Sequence, residues 1–141
     1  GSKKLINRME KLQAIVSLRA GGYSQAVLRT WFAEEAEWMD ERIRPHQAIR
    51  DDLLTVLRGC DGVFARTPQA GSYLFPRLPK LAVSYADFIK VLRLQAGVSV
   101  TPGTEFSPHC ADSIRFNFSQ DHKAAVAAVE RLVTLVDRYR A

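Results

Sequence analysis

The chain has 141 residues, 47% of them hydrophobic and 25% charged, with Lys and Arg outnumbering Asp and Glu by 20 to 15. That balance describes one globular domain of ordinary size and excludes a disordered tail, while the basic excess is spread without any block of like charge and leaves no nucleic-acid footprint. No run approaches the roughly 18 apolar residues of a membrane helix and the start lacks the apolar core of a signal peptide, so a cytoplasmic protein with no membrane partner is expected.

Gly1 and Ser2 read as a scar of tag removal, which leaves Lys3 as the first native residue. Leu5, Met9, Leu12 and Val16 recur at helical spacing, predicting an amphipathic helix over residues 3–18 that Gly21 and Gly22 end. Ser24 suits the cap of a second and much longer helix, with Val27, Leu28, Trp31, Phe32, Trp38, Met39 and Ile43 as its apolar positions. Pro45 offers no amide to the carbonyl of Glu41, so a kink or break is expected there. Helical spacing resumes through Ile49, Leu53, Leu54 and Leu57 and stops at Gly59.

Beyond Gly62 the pattern changes. Residues 63–66 and 72–75 predict two short strands, with Thr67, Pro68, Gln69, Ala70 and Gly71 as the turn of a hairpin. Ser84 and Asp87 form a capping-box-like start for a helix that buries Tyr85, Phe88, Ile89, Leu92 and Ala96 and ends at Gly97. Residues 98–100 predict a brief strand. In residues 113–119, Ile114, Phe116 and Phe118 alternate with Ser113, Arg115 and Asn117, so a strand here buries one face and turns Arg115 to the other. Ser119 and Asp121 start a last helix, with Ala125, Ala128, Val129, Leu132, Leu135, Val136 and Tyr139 along one side. The expected fold class is α+β, a small and mostly antiparallel sheet covered by helices and preceded by a long helix open to a kink or a break at Pro45.

The chemistry-bearing residues are few. Arg115 stands on an otherwise apolar strand beside the Pro102-Gly103 turn, and a guanidinium fork so placed can grip a carboxylate through two parallel hydrogen bonds. By pattern alone a solvent-facing strand arginine is the plainer reading. His46, His109 and His122 are scattered and share no ligand spacing with a cysteine or carboxylate, so no metal is expected. Cys60 and Cys110 form no C-x-x-C motif and suit reduced thiols. Tyr73 is near enough to a cleft to be considered, but an aromatic in a hairpin is more often core.

Taken together, several motifs in order resemble the C-terminal small domain of class I/II aminotransferases, the fold-type I enzymes that depend on pyridoxal phosphate. They are Gln25 after Ser24, the run from Arg50 to Leu54, Gly71-Ser72-Tyr73-Leu74-Phe75, Gly97-Val98-Ser99-Val100-Thr101-Pro102-Gly103 with Phe106, and Ile114-Arg115-Phe116-Asn117-Phe118-Ser119. The likeness covers residues 3–140. It implies that Arg115 binds the α-carboxylate of an amino-acid substrate, and that the small domain closes on a large one. It further implies that the intact enzyme, a homodimer, moves an amino group between an amino acid and a 2-oxo acid. Arg19 lies near where some members present an arginine to a second substrate carboxylate across the dimer, although a helix C-terminal arginine favourable to the dipole is the plainer reading. Ser107-Pro108 and His109-Cys110 depart from the family pattern after Phe106.

The family's Schiff-base lysine and the groups that hold the pyridine ring and phosphate belong to the large domain and have no match here. Residues 3–141 are therefore read as a small domain lacking its large cofactor domain, with no catalytic group of its own and no cofactor bound when alone. The resemblance leaves two rivals open. One is an aminotransferase-like effector domain of a transcriptional regulator, and the other a pyridoxal-phosphate-dependent decarboxylase or lyase of the same fold.

Overall fold

The computed structural model describes residues 1–17 and 21–141, in two compact units, Gly1–Asp40 and Glu41–Ala141. Helices α1 (Lys3–Val16), α2 (Gly22–Trp31) and α3 (Ala36–Gly59) come first, followed by β1 (Tyr73–Leu74), α4 (Tyr85–Ala96), β2 (Thr101–Pro102), β3 (Ile114–Asn117) and α5 (His122–Tyr139). The class is α+β, as the sequence pattern predicts.

In the first unit, the Ser2 hydroxyl accepts a hydrogen bond from the Leu5 amide at 3.3 Å and so caps α1. Neither α1 nor α2 buries a residue, and Leu12, Val27 and Phe32 stand 62%, 70% and 79% exposed. The long helix expected from Ser24 onward is in fact two helices, and the break falls before Pro45. Gly21 caps α2, whose end tightens as the Ala33 amide donates to the Thr30 carbonyl and the Glu34 amide to that of Trp31. Charge explains the position. Glu34, Glu35 and Glu37 would burden the C-terminal end of one helix but suit the N-terminus of the next, which starts at Ala36. Trp31 and Trp38 meet edge to face, 5.3 Å between centroids.

Pro45 sits inside α3 without ending it. The ring removes only the bond to the Glu41 carbonyl, and because residues 41–45 are all exposed that carbonyl is free to take a water instead.

The core of the second unit gathers Leu53, Leu54 and Leu57 of α3, Phe88 and Leu92 of α4, and Val129, Leu132 and Val136 of α5 against Leu74, Ile114 and Phe118. Helix α4 starts and stops where its caps require. The Ser84 hydroxyl accepts from the Asp87 amide at 3.1 Å, and Gly97 takes a left-handed φ of 65° that costs a glycine little. Asp121, whose carboxylate accepts from the Ala124 amide, is the cap of α5, and Ser119 plays no part in it.

The sheet order is β1-β3-β2, antiparallel throughout. Two expected strands are absent. Residues 98–100 carry no ladder, and β2 instead lies just beyond them at Thr101–Pro102. Residues 63–66 do not pair with 72–75 as a hairpin; β1 pairs with β3, and the first segment contributes only a bridge between Phe64 and Arg77. Two donors explain this. Nε and Nη2 of Arg58 donate to the Ala65 carbonyl at 3.3 and 3.2 Å, occupying the acceptor a hairpin would need, and the Pro76 carbonyl accepts from the Ile114 amide at 3.1 Å.

Candidate functional site

Strand β3 keeps Ile114 and Phe118 buried and Arg115 half-buried on the opposite side as the sequence predicts, but the alternation is incomplete: Ser113 is buried and Phe116 only half-buried, against expectation. Its neighbours bring their own side chains to that same open face. Thr101 pairs with Arg115 and Tyr73 with Asn117, and the register then carries Phe75 opposite Arg115 and Arg77 opposite Ser113, where a bridge is present. From Tyr73 to Leu78, exposed Tyr73, Phe75 and Arg77 alternate with buried Leu74, Pro76 and Leu78.

The Arg115 guanidinium packs over two aromatic rings. Its central carbon is 4.5 Å from the centroid of Tyr73 and 4.6 Å from that of Phe106. Phe75 braces Phe106 edge-on, at 5.5 Å and 86°. A ring contact of this kind is made with the π-system and leaves the N–H groups of a guanidinium able to donate hydrogen bonds. Among the described residues Arg115 takes part in no ion pair. It borders a cleft of about 270 Å³, lined also by Tyr73, Ser99, Val100, Thr101, Phe116 and Asn117.

Close backbone packing fixes this arrangement from below. The Gly103 amide donates to the Ser113 carbonyl at 2.7 Å, closing the turn that leads from β2 into β3. A Cβ at Gly103 would fall 2.0 Å from the Cys110 carbonyl oxygen and 2.7 Å from that of Ser113, so the turn admits no side chain.

Of the two positions that the sequence reading left open for Tyr73, cleft or core, the structure favours the cleft over the plainer core. The residue is 46% exposed and forms one wall of the Arg115 cleft. Phe106 entered that reading as a motif residue only. The signal for Tyr73 was present in the two-residue alternation with Leu74, Pro76 and Leu78, but nothing local shows Phe106 folding back over β3. Arg19, the second arginine singled out, lies outside the described residues.

His46 and His122 each make side-chain contacts within the fold. His46 Nδ1 is 2.7 Å from the Arg42 carbonyl and its Nε2 2.7 Å from the Ser119 hydroxyl, while His122 meets Asp52 at 2.7 Å. Among the described residues no group of His, Cys, Asp and Glu could hold a metal ion. Both cysteines are free thiols. Burial first, and then the Asp137 carboxylate, pushes the Cys60 thiol above its ordinary value, against a smaller opposing pull from Arg140. Such a thiol is a poor nucleophile.

The sequence profile of the family described as aminotransferase class I and II matches residues 1–132. The chain belongs to that family. It is 25% identical over 138 residues to an aspartate aminotransferase of Musicola paradisiaca, covering 97% of this chain and 34% of that one. Over 86 residues it is 34% identical to an LL-diaminopimelate aminotransferase of Nitratidesulfovibrio vulgaris, covering 61% of this chain and 22% of that one. This class I and II chain thus spans about a third or less of the curated relatives it matches. Among solved structures, an aspartate aminotransferase from Rhodobacter sphaeroides is 78% identical with a TM-score of 0.86, over 100% of this chain and 36% of that one. An aspartate aminotransferase from Rhizobium meliloti is 25% identical with a TM-score of 0.73, over 99% of this chain and 37% of that one. No helix of the described residues is long and apolar enough to cross a membrane.

Proposed function

We propose that residues 3–141 are the C-terminal small domain of a pyridoxal-phosphate-dependent aminotransferase, and that Arg115 anchors the substrate α-carboxylate when the large domain is present. The complete enzyme moves an amino group between an amino acid and a 2-oxo acid and works as a homodimer. One observation carries the reading: a guanidinium packed on two rings on an open strand face, with no ion pair to an acid among the described residues. A carboxylate arriving in the guanidinium plane gains two charge-assisted bonds, and the stacked rings hold the fork still before it arrives. Fixing the carboxylate in this way also orients the adjoining Cα–H bond, which is the group such chemistry must address.

The residues lining the Arg115 cleft include neither a lysine nor a carboxylate, so that cleft does not fit pyridoxal phosphate and no step is derived through it. The chain alone is accordingly expected to be inactive. Replacing Arg115 with Ala in the complete enzyme tests the assignment: a lost bidentate contact costs about 2–5 kcal/mol, so kcat/KM falls at least about 30-fold. An unchanged kcat/KM defeats it.

A further inference from the structure

The open sheet face carries two more guanidinia that the Arg115 site does not use. Arg66 and Arg77 each lie over the ring of Phe64, both at 5.7 Å from its centroid. The bridge between Phe64 and Arg77 sets Arg77 beside Phe64, and Arg66 follows Phe64 by two residues. Among the described residues neither arginine forms an ion pair. They border a cleft of about 560 Å³ whose remaining walls are Phe64, Pro68, Tyr73 and Phe75. That size suits a small molecule. Phe64, Tyr73 and Phe75 are 52%, 46% and 42% exposed, so the cleft presents ring surface and positive charge together.

We propose that Phe64, Arg66 and Arg77 form a second binding site, for a small aromatic ring bearing an anionic oxygen group, either a carboxylate or a phosphate. Two guanidinia that border one cleft, neither paired with an acid among the described residues, offer it positive charge and hydrogen-bond donors for an anion. An aryl ring on the same ligand covers the exposed aromatic walls, burying apolar surface that otherwise faces water. Tyr73 lines both this cleft and that of Arg115, but the groups that hold the anion are different, so the inference stands without the role assigned to Arg115.

The test is a titration of the isotopically labelled chain followed by NMR, with phenyl phosphate and benzoate as probes and inorganic phosphate and acetate as ring-free controls. Saturable shifts at Phe64, Arg66 and Arg77 are expected for the aryl anions, about tenfold tighter than for their ring-free counterparts. The double variant R66Q/R77Q should weaken binding about tenfold or more, R66K/R77K should weaken it less, and R115A should leave it unchanged. Unaltered resonances from the core leucines confirm that each variant is folded. Non-saturable shifts overturn the proposal, as does equal binding by R66Q/R77Q, and so does a response that R115A abolishes. Inorganic phosphate binding as tightly as phenyl phosphate refutes the aromatic part of the ligand.

Discussion

Replacing Gly103 with Ala probes the support of the site most sharply. The backbone there is not left-handed, so the position demands glycine for space alone. The new methyl would lie 2.0 Å from the Cys110 carbonyl oxygen, where side-chain carbons essentially never approach within 3.0 Å, and the difference obliges a backbone shift of about 1 Å. Neither obstacle is a flexible side chain that can swing aside. Overpacking costs about 1–3 kcal/mol, and the shift also breaks the 2.7 Å bond from the Gly103 amide to the Ser113 carbonyl, adding about 1 kcal/mol. The sum, about 2–4 kcal/mol, lowers the Tm of the chain by about 7–14 °C. Thermal and urea unfolding followed by circular dichroism measure this directly. Gly97→Ala is the control, because it meets open space at a φ of 65° and costs only the left-handed penalty of about 1 kcal/mol. A Gly103→Ala variant melting within about 2 °C of the parent would refute the packing argument.

Phe88 is fully buried, and Phe88→Ala should cost about 3–5 kcal/mol in urea unfolding. With its thiol raised by burial and by Asp137, Cys60 should be alkylated far more slowly than half-buried Cys110 at the same pH, as peptide mass spectrometry after timed iodoacetamide treatment would show. The same shift has a sign in stability: the folded state holds the Cys60 proton more tightly, so its contribution is whole below the unfolded thiol's value of about 8.5 and is lost as pH rises through the folded value. Cys60→Ala should flatten that alkaline decline. The exposed apolar residues of α1 and α2, among them Leu12, Val27 and Phe32, predict hydrophobic-dye binding and self-association by sedimentation, and a clean monomer that binds no dye contradicts this.

What was legible in the sequence was what local rules decide. Ser84, Gly97 and the spacing from Phe88 to Leu92 specify α4 from within, and the apolar side of α5 does the same. The strands were less legible, because ladders this short are chosen by distant partners: Arg58 taking the Ala65 carbonyl, and Ile114 reaching Pro76. A break at Pro45 is not seen because the proline rule costs most where the freed carbonyl has no alternative partner, and here residues 41–45 are exposed to solvent. Arg115 emerged from alternation alone, but its aromatic clamp joins residues far apart in the chain, and only tertiary structure unites them.

The central claim is that the Arg115 edge recognises a carboxylate, and removing the charge from each side in turn tests it most directly. In the complete enzyme, kcat/KM for an amino acid and for its α-carboxamide should be compared in the parent and in Arg115→Ala. The account predicts a large preference for the acid in the parent, at least about 30-fold, that nearly vanishes in the variant. A preference that survives the loss of Arg115 intact would contradict it.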